Sequence, residues 1–167
     1  MKKFTKVLAV LLAVAVFATA FAACSKNGGT SSKVKVIDIA LSDEEYAFGV
    51  DKNQPELKQQ VNDFVAEIKS NGKLDEICNK YFADGTPEGI TSATQDPSKD
   101  QLVVATNAEF APFEYKQGDQ FFGIDMEIAN LLAQKLNKEL VIVDMAFDAV
   151  LLSVQQGKAD IGMAGLT

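Results

Sequence analysis

From residue 101 to residue 167 the chain alternates short apolar runs with amphipathic stretches, and this alternation restricts the fold more than any other feature. Residues 102–106 read as a buried strand. Residues 123–137 read as a helix with Ile124, Ile128, Leu131, Leu132 and Leu136 on one side. Residues 140–144 form a second strand. Phe147, Val150, Leu151 and Val154 mark a second helix closed by Gly157, and residues 161–164 form a third strand. Apolar strands that alternate with helices imply a parallel sheet covered on both faces. The expected fold is therefore α/β, a three-layer α/β/α sandwich with a mostly parallel sheet and right-handed crossovers.

The first half is organised differently. Residues 34–41 (VKVIDIAL) and 46–50 (YAFGV) are strand candidates separated by a polar connector. A helix follows, with Pro55 in its first turn, Glu56 at the positive end of its dipole and Lys69 in its last turn. Leu57, Val61, Phe64, Val65 and Ile68 share one face, and Asn71-Gly72 stops it. A shorter helix spans residues 74–82. Its apolar stripe Leu74, Ile77, Cys78, Tyr81 makes Cys78 a small core hydrophobe rather than a reactive thiol. Residues 83–100 concentrate Gly, Pro, Ser, Thr and Asp and read as a linker, long for a connection inside a compact domain. Residues 34–167 are expected to form one domain of about 130 residues, enough for an ordinary core.

The opening 23 residues read as a targeting segment. Lys2, Lys3 and Lys6 precede an apolar run over residues 7–21, too short for a span of about 20 residues and suited to an export signal. The run ends in Phe21-Ala22-Ala23-Cys24, which resembles a bacterial lipoprotein cleavage box with Phe21 in the place of the usual Leu. Cys24 would then carry the lipid, and residues 24–33, rich in Ser and Gly, would be the tether to the membrane. Such a chain sits on the extracytoplasmic face of a bacterial cell membrane. Removal of the signal leaves 13 basic against 23 acidic residues, a net charge of −10. That balance excludes a nucleic-acid partner, which demands a basic face.

Enzymatic chemistry finds no support. The chain has no histidine, the commonest general base and metal ligand. It also lacks a glycine-rich phosphate loop, metal-spaced ligands and a nucleophile elbow. No cofactor and no metal are expected.

Three motifs in combination, N-A-E-F-A-P-F-E-Y (107–115), G-I-D-M-E-I-A (123–129) and F-D-A followed by G-K-A-D and A-G-L-T (147–167), resemble the extracellular solute-binding proteins of amino-acid ABC transporters. Residues 101–167 resemble that family's opening segment, and residues 44–82 its closing segment. The resemblance implies one lobe of a periplasmic-binding-protein-like fold, in circularly permuted order and without the second lobe. Carried over by position, Phe110 matches the aromatic that stacks on the ligand side chain and Phe147 its opposite wall. Asn107 matches the residue that reaches the end of the ligand side chain, and its lack of charge leans towards a neutral or polar amino acid. Ala164, Gly165 and Thr167 match the strand-end residues that receive the ligand's amino and carboxylate groups. Phe113 and Tyr115 are read as packing, and Asp125 and Glu127 as surface charges favoured by the helix dipole.

The family places an arginine a few residues after the A-G-L-T position, paired with the ligand carboxylate. These 167 residues contain no arginine, and lysine does not replace it at a bidentate site. The acidic residue for the ligand ammonium belongs to the absent lobe. Loss of one charge-assisted bond costs about 1.5–3 kcal/mol, about 10–150-fold in affinity. The expectation is a lipid-anchored solute-binding component of an ABC importer that binds an amino acid weakly or not measurably alone, with the transporter permease as its partner. The alternative is a non-binding domain that forms a homodimer through the uncovered hinge face.

Overall fold

The computed structural model describes residues 44–167. The signal segment, Cys24, the tether and the strand expected at residues 34–41 lie outside the described residues. Within them, the alternation that marks the second half has become a four-stranded sheet. It contains β1 (Gly49–Val50), β2 (Gln101–Thr106), β6 (Glu139–Asp144) and β7 (Ile161–Gly162), in the order β1-β7-β2-β6. β2 pairs in parallel with both β6 and β7, and β1 pairs antiparallel with β7. The sheet is mostly parallel, as expected.

The handedness of the crossovers fixes the layers. From β2 the chain steps to β6 through α3 (Ile124–Lys135), then returns over β2 to β7 through α4 (Phe147–Gln155). Two right-handed crossovers in opposite directions put their helices on opposite faces. Alternation along β2 serves both faces. Leu102 and Val104 join a core with α1 (Pro55–Ser70), α2 (Lys73–Phe82) and α3, while Val103 and Ala105 meet α4. The fold is a three-layer α/β/α sandwich.

The helices of the first half follow their stripes. Pro55 is the first residue of α1, and Val61, Phe64 and Ile68 are its buried face. Burying each such side chain contributes about 1.5–3 kcal/mol. Ile77 is the buried residue of α2, and Cys78 packs half-buried beside it as a free thiol. Burial holds that thiol above its ordinary range, which agrees with a packing role.

Two stretches carry more order than their composition implies. Residues 83–100 contain no helix or strand of their own, yet part of the stretch is fastened along the outer edge of β6. The Ala93 amide donates to the Leu140 carbonyl (2.9 Å), and Ile142 N–H donates to the Ser92 hydroxyl (2.8 Å). Ile90 forms a bridge to Phe121 and is buried in the core. The loop after β2 is also structured. It forms a second sheet, the meander β3 (Glu109–Phe110), β4 (Glu114–Gln117) and β5 (Gln120–Phe122). Gly123 joins β5 to α3 at φ +124, and a Cβ there would lie 2.1 Å from the Phe113 carbonyl oxygen, so only glycine fits.

Candidate functional site

Parallel pairing brings the carboxyl ends of β2, β6 and β7 to one edge, the edge where open α/β sheets bind ligands. The loops leaving these ends are tied together. Met145 N–H donates to the Thr106 carbonyl (2.9 Å), Ala108 N–H donates to the Asp144 carboxylate (3.0 Å), and the Asn107 amide donates to the Met145 carbonyl (3.0 Å). Asn107 is therefore half-buried, with its nitrogen committed to the protein. No described residue donates to its side-chain oxygen.

Phe110 and Phe147 stay unusually open for large aromatics, 48% and 54% exposed. Phe110 lies on β3, and Phe147 opens α4 at the end of the β6 loop. The Phe110 ring stacks on Phe113 at 5.5 Å between centroids, and Phe113 in turn meets Tyr46 at 4.6 Å and Phe82 at 6.4 Å. Phe113 is thus the packed centre of an aromatic group that links the strand-end loops to the 44–48 segment and α2. Tyr115 stacks on Phe122 within the meander.

The third loop follows β7. Ala164 is fully buried against α4 residues, Gly165 is half-buried and Thr167 is exposed. Gly165 adopts φ +54, and a Cβ there would come within 2.9 Å of the Phe110 ring. Both the backbone and the aromatic neighbour demand glycine. The Gly165 amide points inward and donates to Asp125 Oδ2 (3.0 Å), so it is not free for a ligand carboxylate. The Leu166 carbonyl accepts from Ala47 N–H (2.9 Å), which carries the β1–β7 pairing up to this edge.

Asp125 and Glu127 depart from the expectation of surface charges. They are 5% and 9% exposed. Glu127 accepts from Lys80 Nζ (2.7 Å) and from the Tyr81 hydroxyl (2.9 Å), and Tyr81 accepts from Gly123 N–H (3.0 Å). This network pins α2 to the start of α3. Asp125 instead meets Glu114, which is 1% exposed. Burial, then the neighbouring Asp125 charge, pushes the Glu114 carboxyl up to about 9. Burial raises Asp125 to about 6, against the opposing effect of the Gly165 amide and Glu114. Neither partner of this pair is a cation, so the two carboxyls are settled by retaining a proton. Among the described residues no group of His, Cys, Asp and Glu has the spacing to hold a metal ion.

The family model for bacterial extracellular solute-binding proteins, family 3, matches residues 4–84 and 102–167, which is most of the chain. The chain belongs to that family. Its members are solute-binding proteins, not enzymes. Among curated relatives, the arginine-binding extracellular protein ArtP of Bacillus subtilis is 33% identical over 79 residues, 47% of this chain and 31% of ArtP. The probable ABC transporter arginine-binding protein ArtJ of Chlamydia trachomatis is 32% identical over 74 residues, 43% of this chain and 28% of ArtJ. The chain thus spans about a third of the length of the curated relatives it matches. Two solved structures with similar stretches are the arginine-bound form of domain 1 from TmArgBP and the L-arginine-bound AbpA of Streptococcus pneumoniae. The first is 35% identical, covering 44% of this chain and 61% of that one, with TM-score 0.40. The second is 49% identical, covering 41% and 30%, with TM-score 0.39.

Proposed function

We propose that this chain is a lipid-anchored, amino-acid-type solute-binding component of an ABC importer, in which residues 44–82 and 101–167 form one lobe in circularly permuted order that holds an α-amino acid weakly. The observation that carries the reading is the pair of half-exposed aromatics, Phe110 and Phe147, on loops at the carboxyl edge of the sheet. Leaving two phenylalanine rings in water forgoes burial free energy, and a ligand side chain laid between such walls recovers part of it. The free side-chain oxygen of Asn107 would accept from the polar end of that side chain. This suits a neutral polar amino acid, and also arginine, which the relatives' names record.

The same geometry makes binding weak. Neither a cation nor a free Gly165 amide stands among Asn107, Phe110, Phe147, Ala164, Gly165 and Thr167 to take the ligand carboxylate. The Thr167 hydroxyl is the remaining polar side chain of that loop. Cys24 would hold the domain at the outer face of the membrane, beside the transporter permease. Calorimetry of the full chain with L-arginine and with L-glutamine tests the reading. Dissociation constants in the millimolar range, abolished by Phe110→Ala, are expected. Micromolar affinity for either amino acid would contradict the half-site, and no heat at any concentration would remove the binding role.

A second reading draws on α4. Phe147, Leu151 and Leu152 are each about half exposed, and a helix face of this kind favours self-association over ligand binding. A mass that doubles with concentration in native mass spectrometry would favour it, and a strict monomer would count against it.

A further inference from the structure

The buried carboxyl pair lies directly beneath the loop that the binding reading uses. Asp125 Oδ2 accepts from the Gly165 amide at 3.0 Å, and Gly165 has no side chain because the Phe110 ring occupies that space. Glu114 pairs directly opposite Phe110 in the meander, and its Oε1 would lie 3.6 Å from a Gly165 Cβ. Its other oxygen, Oε2, is buried without a hydrogen-bond partner. One carboxylate oxygen therefore fixes an amide whose α-carbon packs against the candidate ligand wall, and its neighbour is a carboxyl with one unpartnered oxygen.

We propose that Asp125 is the positioning residue of the β7 loop, and that proton uptake at the Asp125–Glu114 pair releases Gly165 and, with it, the Phe110 wall. A charged carboxylate accepts a hydrogen bond about twice as strong as a neutral one. When Asp125 takes a proton the Gly165 bond falls to the neutral strength, and nothing else described holds that amide. The shift of Asp125 into the mildly acidic range by burial puts the change within reach of ordinary conditions.

Other groups facing Asp125 do not cancel the effect. Glu114 on β4 keeps its own proton over this range and brings no cation to the pair. Tyr46 presents a phenol held neutral, chiefly by its bond to Glu44, with the Asp125 and Glu114 charges adding to that. A cavity of about 560 Å³ borders Asp125, and Cys78 and Lys69 line it, Lys69 being the one cation among its lining residues. Glu127, two residues along the helix, is turned to Lys80 and Tyr81.

The inference rests on the proposed function only for its consequence for a ligand, and its test separates the two. In amide NMR of the ¹⁵N-labelled full chain, titrated from pH 8 to pH 5 without ligand, the Gly165 amide proton is expected to move upfield. Phe110 is expected to follow with the same midpoint. In Asp125→Asn, whose side-chain oxygen still accepts but does not titrate, both resonances should stay still. Glu114→Gln should keep the acidic step, because Asp125 still titrates in it. A pH-independent Gly165, a Phe110 that does not follow it, or an unchanged midpoint in Asp125→Asn would each overturn the proposal. The first two need no variant, so a variant that fails to fold leaves the test intact. Repeating the titration with L-arginine adds one arm. No binding at any pH removes the function and leaves the positioning intact, whereas equal affinity at pH 8 and pH 5 despite moving resonances would sink the positioning role.

Discussion

Asp125 and Glu127 stand two residues apart on one helix turn and are stabilised by opposite means. At about 100° per residue they project about 200° apart, so each faces a different part of the molecule. Glu127 faces the seam with α2, where an ammonium and a phenol supply hydrogen bonds and charge. Asp125 faces the strand-end loops, where the available partners are another carboxyl and a backbone amide. The first arrangement is a fixed bolt. The second is solved by a proton and so depends on the solution. The difference teaches that burial of an acid does not define its role; the partner it meets does.

The sharpest way to break the comparison is to remove the bolt. Glu127→Ala would leave Lys80 and Tyr81 without their acceptor in a part-buried seam. It should cost about 3 kcal/mol of unfolding free energy at pH 7, read as a lower urea midpoint. The corresponding change on the other side should carry the opposite sign at high pH. The Asp125 and Glu114 carboxyls lie above their ordinary values of 3.8 and 4.5. The folded protein therefore binds these protons more tightly than the unfolded chain. Their contribution is complete below about pH 4 and is lost as the pH rises through about 6 and then about 9. Urea midpoints should fall over that window, and Glu114→Gln, which stays neutral, should flatten the alkaline part and exceed the wild type there. The smallest effect belongs to Tyr81→Phe. It removes one hydrogen bond to Glu127 and the acceptor of Gly123 N–H, and should cost about 1–2 kcal/mol with no change in pH dependence. A pH dependence altered by Tyr81→Phe would show that the two sides are coupled.

The layers of the fold were legible because they rest on local pattern. Pro55, the Val61–Phe64–Ile68 stripe and the strand-helix alternation after residue 101 each carry their own period. The meander was not legible, since Glu109–Phe110 and Gln120–Phe122 are too short and too mixed to show alternation. The edge position of residues 90–93 was hidden by turn-forming composition, because one serine hydroxyl and one amide do the fastening. At the candidate site, the aromatic positions were legible from motif, but the inward turn of the Gly165 amide was not. The burial of Asp125 depends on Glu114, on a strand too short to read, and that of Glu127 on Lys80 and Tyr81, distant in sequence. One local signal did exist. Ile124 and Ile128 lie on one side of the helix turn and Met126 nearly opposite, so that turn had to be covered on both sides.

The pairing of β1 with β7 has a consequence for how the chain is made. Residues 49–50 emerge from the ribosome well before the strand that receives them, 161–162. Until β2 and α3 follow, α1 and α2 have little besides each other to shield Val61, Phe64, Ile68 and Ile77. Contacts this far apart in sequence form slowly, since a long loop must close before they repay it. The sheet of this domain can therefore be completed only long after its first strand has been made, and that strand must wait for the partner that seats it.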